Sequence, residues 1–75
     1  MQLLELAVGE RARIVSLKQC DKLYRHKLLA MGLTQGVEFT LTRKAPLGDP
    51  IELSVRGFAL SVRKAETTGL VIERL

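Results

Sequence analysis

The side chains best suited to chemistry in this sequence are few, and they do not cluster. Cys20, Asp21 and His26 raise a transition-metal reading, because thiolate, carboxylate and imidazole are the donors such ions take. Their spacing argues against it. A helix opening at Asp21 places Asp21 with Arg25 on one face and Lys22 with His26 on another, whereas a tight site needs three or four converging ligands with support behind them. No metal and no cofactor are expected, so Cys20 reads as a surface thiol and His26 as a solvated imidazole. Ser16, Ser54 and Ser61 fall on strand-like segments without a partnered His and Asp, and no glycine-rich phosphate loop is present. The acids Glu5, Glu10, Asp21, Glu38, Asp49, Glu52, Glu66 and Glu73 stand singly. The chain therefore reads as a non-enzyme. Each acid is expected to be a solvated surface charge except Asp49, whose carboxylate, between Gly48 and Pro50, is placed to accept backbone N–H bonds and fix a loop.

The elements that would position these groups follow from periodicity. Leu3, Leu4 and Leu6 form a short apolar lead-in over one end of a core, with Gly9 as the turn behind it. Arg11 to Leu17 reads as a first strand, with Ala12, Ile14 and Ser16 on one face and Arg13, Val15 and Leu17 on the other. Asp21 caps a helix in which Tyr24, Leu28 and Met31 recur at helical spacing, and Gly32 ends it. Val37, Phe39 and Leu41 alternate with Glu38, Thr40 and Thr42 in a second strand, Val37 to Arg43. Lys64-Ala65-Glu66 reads as a helical turn leading through Gly69 into a last strand, Leu70 to Arg74.

The most informative stretch is Ala45-Pro46-Leu47-Gly48-Asp49-Pro50 and the residues after it. The two prolines fix their own φ and restrict the residues before them, so the loop is shaped rather than floppy. Ile51, Leu53 and Val55 then alternate as one apolar face, and Phe58, Leu60 and Val62 as another, with Arg56-Gly57 between them. This is the pattern of an antiparallel hairpin with Gly57 at positive φ. Phe39 and Phe58 both occupy positions that a core would claim. Five short strands and one short helix result, an all-β single domain spanning residues 1–75 that closes most economically as a small barrel.

Length and composition set the outer bounds. At 75 residues the chain is near the size at which one core supplies only a few kcal/mol, and 47% hydrophobic content against 27% charged argues for a packed, soluble globule. Met1 to Val8 lacks a basic start and is too short for a signal peptide, and no run approaches a membrane span. A single cysteine excludes an intrachain disulfide. A cytoplasmic location is expected. The net charge of +4 favours acidic partners, but the basic residues are spread along the chain rather than gathered into an arm.

Taken together, Leu28-Leu29-Ala30-Met31-Gly32-Leu33, Gly36, the strand after it, Ala45 to Pro50, the hairpin and Arg63-Lys64-Ala65-Glu66 resemble the FeoA family in content and order. Leu3-Leu4-Glu5-Leu6 with Gly9-Glu10 is similar to the family's start, so the resemblance covers roughly the whole chain. These are small cytosolic accessory proteins of bacterial ferrous-iron transport. The resemblance implies an SH3-like barrel with the helix in its first connection, and an association with iron through the family rather than through a site of its own. It also implies a partner, the cytosolic side of the FeoB transporter with its GTP-hydrolysing domain, and modulation of Fe²⁺ uptake there. The membrane would be met only through that transporter. Similar barrels end the iron-dependent repressors, but no DNA-binding or dimerisation helices precede this one, and it resembles the stand-alone form.

A non-enzymatic protein-interaction module is the function this supports. Recognition is expected at the proline-bounded loop, through Pro46, Leu47 and Pro50, and at the neighbouring helix, through Tyr24, Leu28 and Met31 wherever the core, the first claimant on those three, leaves them free. Leu47 is a large apolar residue at a loop tip that the local pattern does not require, so it is either folded onto the core or offered to a partner. The alternative is a small nucleic-acid-binding or transcription-associated β-barrel. It lacks a stacking platform, since there is no Trp and both Phe are expected inside, so no nucleic-acid partner is expected. The residues leave self-association open.

Overall fold

A computed structural model describes residues 1–75. A 3-10 turn over Leu3–Glu5 precedes strand β1 (Arg11–Ser16), helix α1 (Lys22–Ala30), and strands β2 (Glu38–Lys44), β3 (Ile51–Val55) and β4 (Phe58–Val62). A second 3-10 turn (Lys64–Thr67) leads into β5 (Val71–Arg74). The strands form one antiparallel sheet in the order β4-β3-β2-β1-β5, with α1 in the first connection, as the sequence led us to expect.

The sheet curls because it is interrupted at two places. The register slips between Leu41 and Arg43 against β3, and between Ile14 and Ser16 against β5. Each slip leaves one extra residue, Thr42 and Val15, which bends the strand and raises the local twist. Thr42 Oγ1 donates to the Glu52 carbonyl at 3.1 Å, which offsets part of the lost ladder bonding there. Curling brings one face of the sheet around a cluster of 17 buried apolar residues, in which Leu41, Ile51, Leu53 and Val62 have no exposed surface.

The lead-in packs as anticipated at two of its three leucines. Leu3 and Leu6 are buried while Leu4 is exposed. Helix α1 starts where Asp21 Oδ1 accepts from Leu23 N–H at 3.0 Å. It ends in a Schellman arrangement, with Gly32 N–H donating to the Leu29 carbonyl and Leu33 N–H to the Leu28 carbonyl, both at 3.0 Å. Gly32 takes φ 93°, a region that a side chain would strain. Two strands begin one residue later than their patterns suggest, because the Val37 and Leu70 amides serve turns instead, donating to Thr34 and Thr67 carbonyls.

The hairpin is a two-residue turn. Val55 opposes Phe58, and both intervening residues have positive φ, Arg56 at 52° and Gly57 at 83°. That is the type I′ geometry whose twist matches the strands it joins.

Candidate functional site

The apolar face of β4 runs out of core along its length. Val62 is buried, Leu60 is partly covered, and Phe58 is 72% exposed. This corrects the expectation that Phe58 lies inside. Alternation tells which face a side chain takes but not how far the core extends beneath it, and β4 is an edge strand whose first residues, at the hairpin end, overhang. Helix α1 stops at Gly32 just short of that overhang, and the gap is an apolar groove of about 330 Å³. Met31 and Gly32 line it on one side, and Val55, Arg56, Phe58, Ala59 and Leu60 on the other.

The residues expected to form a recognition site fall in different places. Met31 is half-buried, packs against the core and lines the groove. Leu28, by contrast, is 0% exposed and is the buried residue of its helix, so of the two places open to it, it takes the core, and the expectation of a partner contact there is corrected. Its helical spacing aims it into the barrel, where its loss would be felt as packing. Tyr24 is part exposed and lines a separate hollow with Gln19, Asp21, Ala65 and Thr68. Leu47 is 91% exposed, so it does not fold onto the core. Pro46 and Pro50 are exposed beside it. That loop enters β3 at Ile51 whereas the groove lies at the Val55 end of the strand, so the two are separated by about 13 Å of strand.

Asp49 does fix the proline-bounded loop, but to a distant element. Its Oδ1 accepts from Lys64 N–H at 3.0 Å, tying the loop to the second 3-10 turn. Within the loop, Gly48 N–H donates to the Ala45 carbonyl and Ala45 N–H to the Pro50 carbonyl, at 2.7 and 3.1 Å. The Asp49-Pro50 peptide is cis.

Two further expectations are corrected. Cys20 is buried, 5% exposed, and is not a surface thiol. Burial raises its pKa, with the Arg25 charge acting weakly the other way, which makes it a poor nucleophile and ligand. Glu66 is buried rather than solvated. It pairs with Lys27 of α1 and accepts from Arg63 N–H at 2.9 Å. The Lys27 bond, then the Arg63 backbone bond, hold its pKa below the ordinary 4.5. His26 is exposed, and no three of the His, Cys, Asp and Glu side chains gather at one point. What the arrangement supports chemically is contact: an apolar groove with a cation, Arg56, at its rim.

Sequence reasoning pointed to a groove where the helix lies against the barrel, with the proline-bounded loop as its wall, but missed that Phe58 and the hairpin wall it instead. One signal was available, since the hairpin turn sits directly before Phe58 and a turn must project from the body it leaves.

Comparison with known proteins gives a consistent picture. A family model described as the FeoA domain matches residues 1–74. A protein of Porphyromonas gingivalis described as a Fe(2+) transport protein A/Fe(2+) transporter FeoB fusion is 30% identical over 73 residues. The match takes in 97% of this chain but only 8% of that protein. The solution structure of the FeoA protein from Chlorobium tepidum superposes with a TM-score of 0.89 at 37% identity, covering 100% of this chain and 70% of that one. The zinc complex of FeoA from Stenotrophomonas maltophilia, described as a prokaryotic SH3 domain protein, matches at TM-score 0.80 and 24% identity. It covers 97% of this chain and 89% of that one, and shows the SH3-like fold.

Proposed function

Because the chain belongs to the FeoA family, associated with ferrous-iron transport, we propose that it is a non-enzymatic module that docks on the cytosolic side of a FeoB transporter and modulates Fe²⁺ uptake. The observation that carries this reading is the uncovered apolar surface of the hairpin. A Phe at 72% exposure beside a groove lined by Met31, Val55 and Leu60 is surface that a solitary small domain gains by covering. The P. gingivalis protein supports the choice of partner, since there a segment similar to this whole chain shares a polypeptide with a FeoB transporter. No helix is long and apolar enough to cross a membrane, and a docked cytoplasmic module needs none. The proline-bounded loop, with Leu47 at its tip, is a second contact in this reading.

The test is calorimetric titration of the chain with the transporter's cytosolic portion, with and without a GTP analogue, alongside the Phe58→Asp variant. Binding by the parent and its loss in Phe58→Asp, with unchanged melting, is the expected outcome. No binding by the parent in either nucleotide state defeats the reading.

The nucleic-acid alternative gains one point from the structure, because Phe58 is an exposed aromatic next to Arg56. One ring is not a platform for successive bases. Titration with single-stranded DNA at two salt concentrations separates the readings, since phosphate binding falls steeply with salt.

A further inference from the structure

The two edges of the sheet are finished differently. At β5 the outer edge is occupied: Met1 and Ile72 exchange backbone bonds, Ile72 N–H to the Met1 carbonyl at 3.0 Å and Met1 N to the Ile72 carbonyl at 3.1 Å. That strand also carries Glu73 and Arg74. At β4 the outer edge is open. The closing pair of a two-residue hairpin is hydrogen-bonded and bonding alternates from there, so Phe58, Leu60 and Val62 bond to β3 while Ala59 and Ser61 point their N–H and C=O groups outward. Neither Ala59 nor Ser61 takes part in any turn, loop or side-chain hydrogen bond, and both are exposed. Phe58 to Val62 contains no charge, no proline and no bulge, the devices by which sheet edges are protected from pairing.

We infer that the outer edge of β4 receives an added strand: a short extended segment of the transporter's cytosolic portion, apolar at alternate positions and acidic at its ends. The inference rests on the docking reading above and specifies how that docking is made. A segment paired to Ala59 and Ser61 turns every other side chain to the face that carries Phe58 and Leu60, which is the groove. Acidic ends follow from what flanks the strand. Arg56 precedes it, Arg63 follows it, both are exposed, and neither forms an ion pair. The same pair of charges disfavours a second copy as occupant, because antiparallel β4–β4 pairing would set Arg56 of each copy toward Arg63 of the other.

Amide hydrogen exchange on the intact chain, free and with the cytosolic portion of FeoB, tests this without any variant. The Ala59 and Ser61 amides are expected to exchange freely alone and to slow by about ten-fold or more in the complex. Ala59→Pro removes one outward N–H without touching the bonds to β3, and Ser61→Pro does the same should the first not fold. Either is expected to weaken binding by about ten-fold while the fold persists. Arg56→Gly removes the flanking charge at a position whose positive φ glycine accepts, and is expected to weaken binding several-fold and to reduce its salt dependence. If the parent binds and Phe58→Asp does not, yet Ala59 and Ser61 exchange as in the free protein, docking stands and strand addition is overturned. If the parent does not bind at all, the docking reading fails first. If the two amides are protected in the free chain as concentration rises and its mass doubles, the occupant is a second copy and the inference is wrong. Binding insensitive to salt and to Arg56→Gly removes the acidic ends.

Discussion

Gly57 and Gly69 share a backbone conformation, φ 83° and 89°, but not an environment. A Cβ at Gly57 would meet nothing within 4 Å, whereas one built at Gly69 would lie 2.3 Å from the Gln19 carbonyl oxygen and 3.0 Å from Cys20 N. Strain at positive φ is therefore the whole cost of Gly57→Ala, about 1 kcal/mol, which in a domain of this size lowers Tm by about 4–8 °C. Gly69→Ala adds a clash with backbone that cannot rotate away. We expect it to cost about 3 kcal/mol or more, and thermal unfolding of both variants checks the order. The same contact explains why Cys20 was misjudged from the sequence. Nothing near Cys20 in the chain forecasts burial; it is covered where the segment around Gly69 crosses it. Gly57 was legible because two alternating runs with Arg-Gly between them have one economical turn. Phe58, one residue on, was not, because the depth of cover depends on where α1 happens to stop.

Among the elements, the helix and the second 3-10 turn are held together by one buried carboxylate. Glu66 bonds Lys27 of α1 and caps its own turn through Arg63 N–H, and Asp49 adds a bond from the proline-bounded loop to the same turn. Each acid stands alone in the sequence. Local spacing reveals strands and helix ends but not a partner 39 residues away, so this junction was invisible while the elements it joins were not. The pH dependence follows from the sign of the shift. The folded-state pKa of Glu66 lies below its ordinary 4.5, so its contribution to stability is fully present above about 4.5 and is lost as pH falls through the folded value. Glu66→Gln is accordingly expected to be less stable than the parent at neutral pH, with the gap closing on acidification. Urea midpoints of the two proteins from pH 7 down to about 3 measure it. A gap constant over that range would mean that Glu66 acts by packing alone.

At the scale of the molecule, the question is how much of the surface a partner covers. The domain exposes 4605 Å², and a standard interface takes roughly 800 Å² from each side, about a sixth of that. A footprint of that size centred on the groove reaches along the hairpin, and whether it reaches the tip at Leu47 is decided by distance. The loop and the groove lie at opposite ends of β3, separated by about 13 Å, which is within the span of one standard interface but not of one small pocket. Leu47 is 91% exposed and its loop is held by Asp49 and two internal backbone bonds, so Leu47→Asp should melt with the parent. If the footprint is broad, the variant places an unpaired carboxylate in an apolar contact and weakens binding to the transporter's cytosolic portion by about 2 kcal/mol, or roughly thirty-fold. Because the sites are too far apart to share partners, its effect should add to that of a milder groove variant such as Met31→Ala. Calorimetry on the two single variants and the double variant checks both statements. A Leu47→Asp protein that folds and binds like the parent would confine recognition to the groove and the β4 edge.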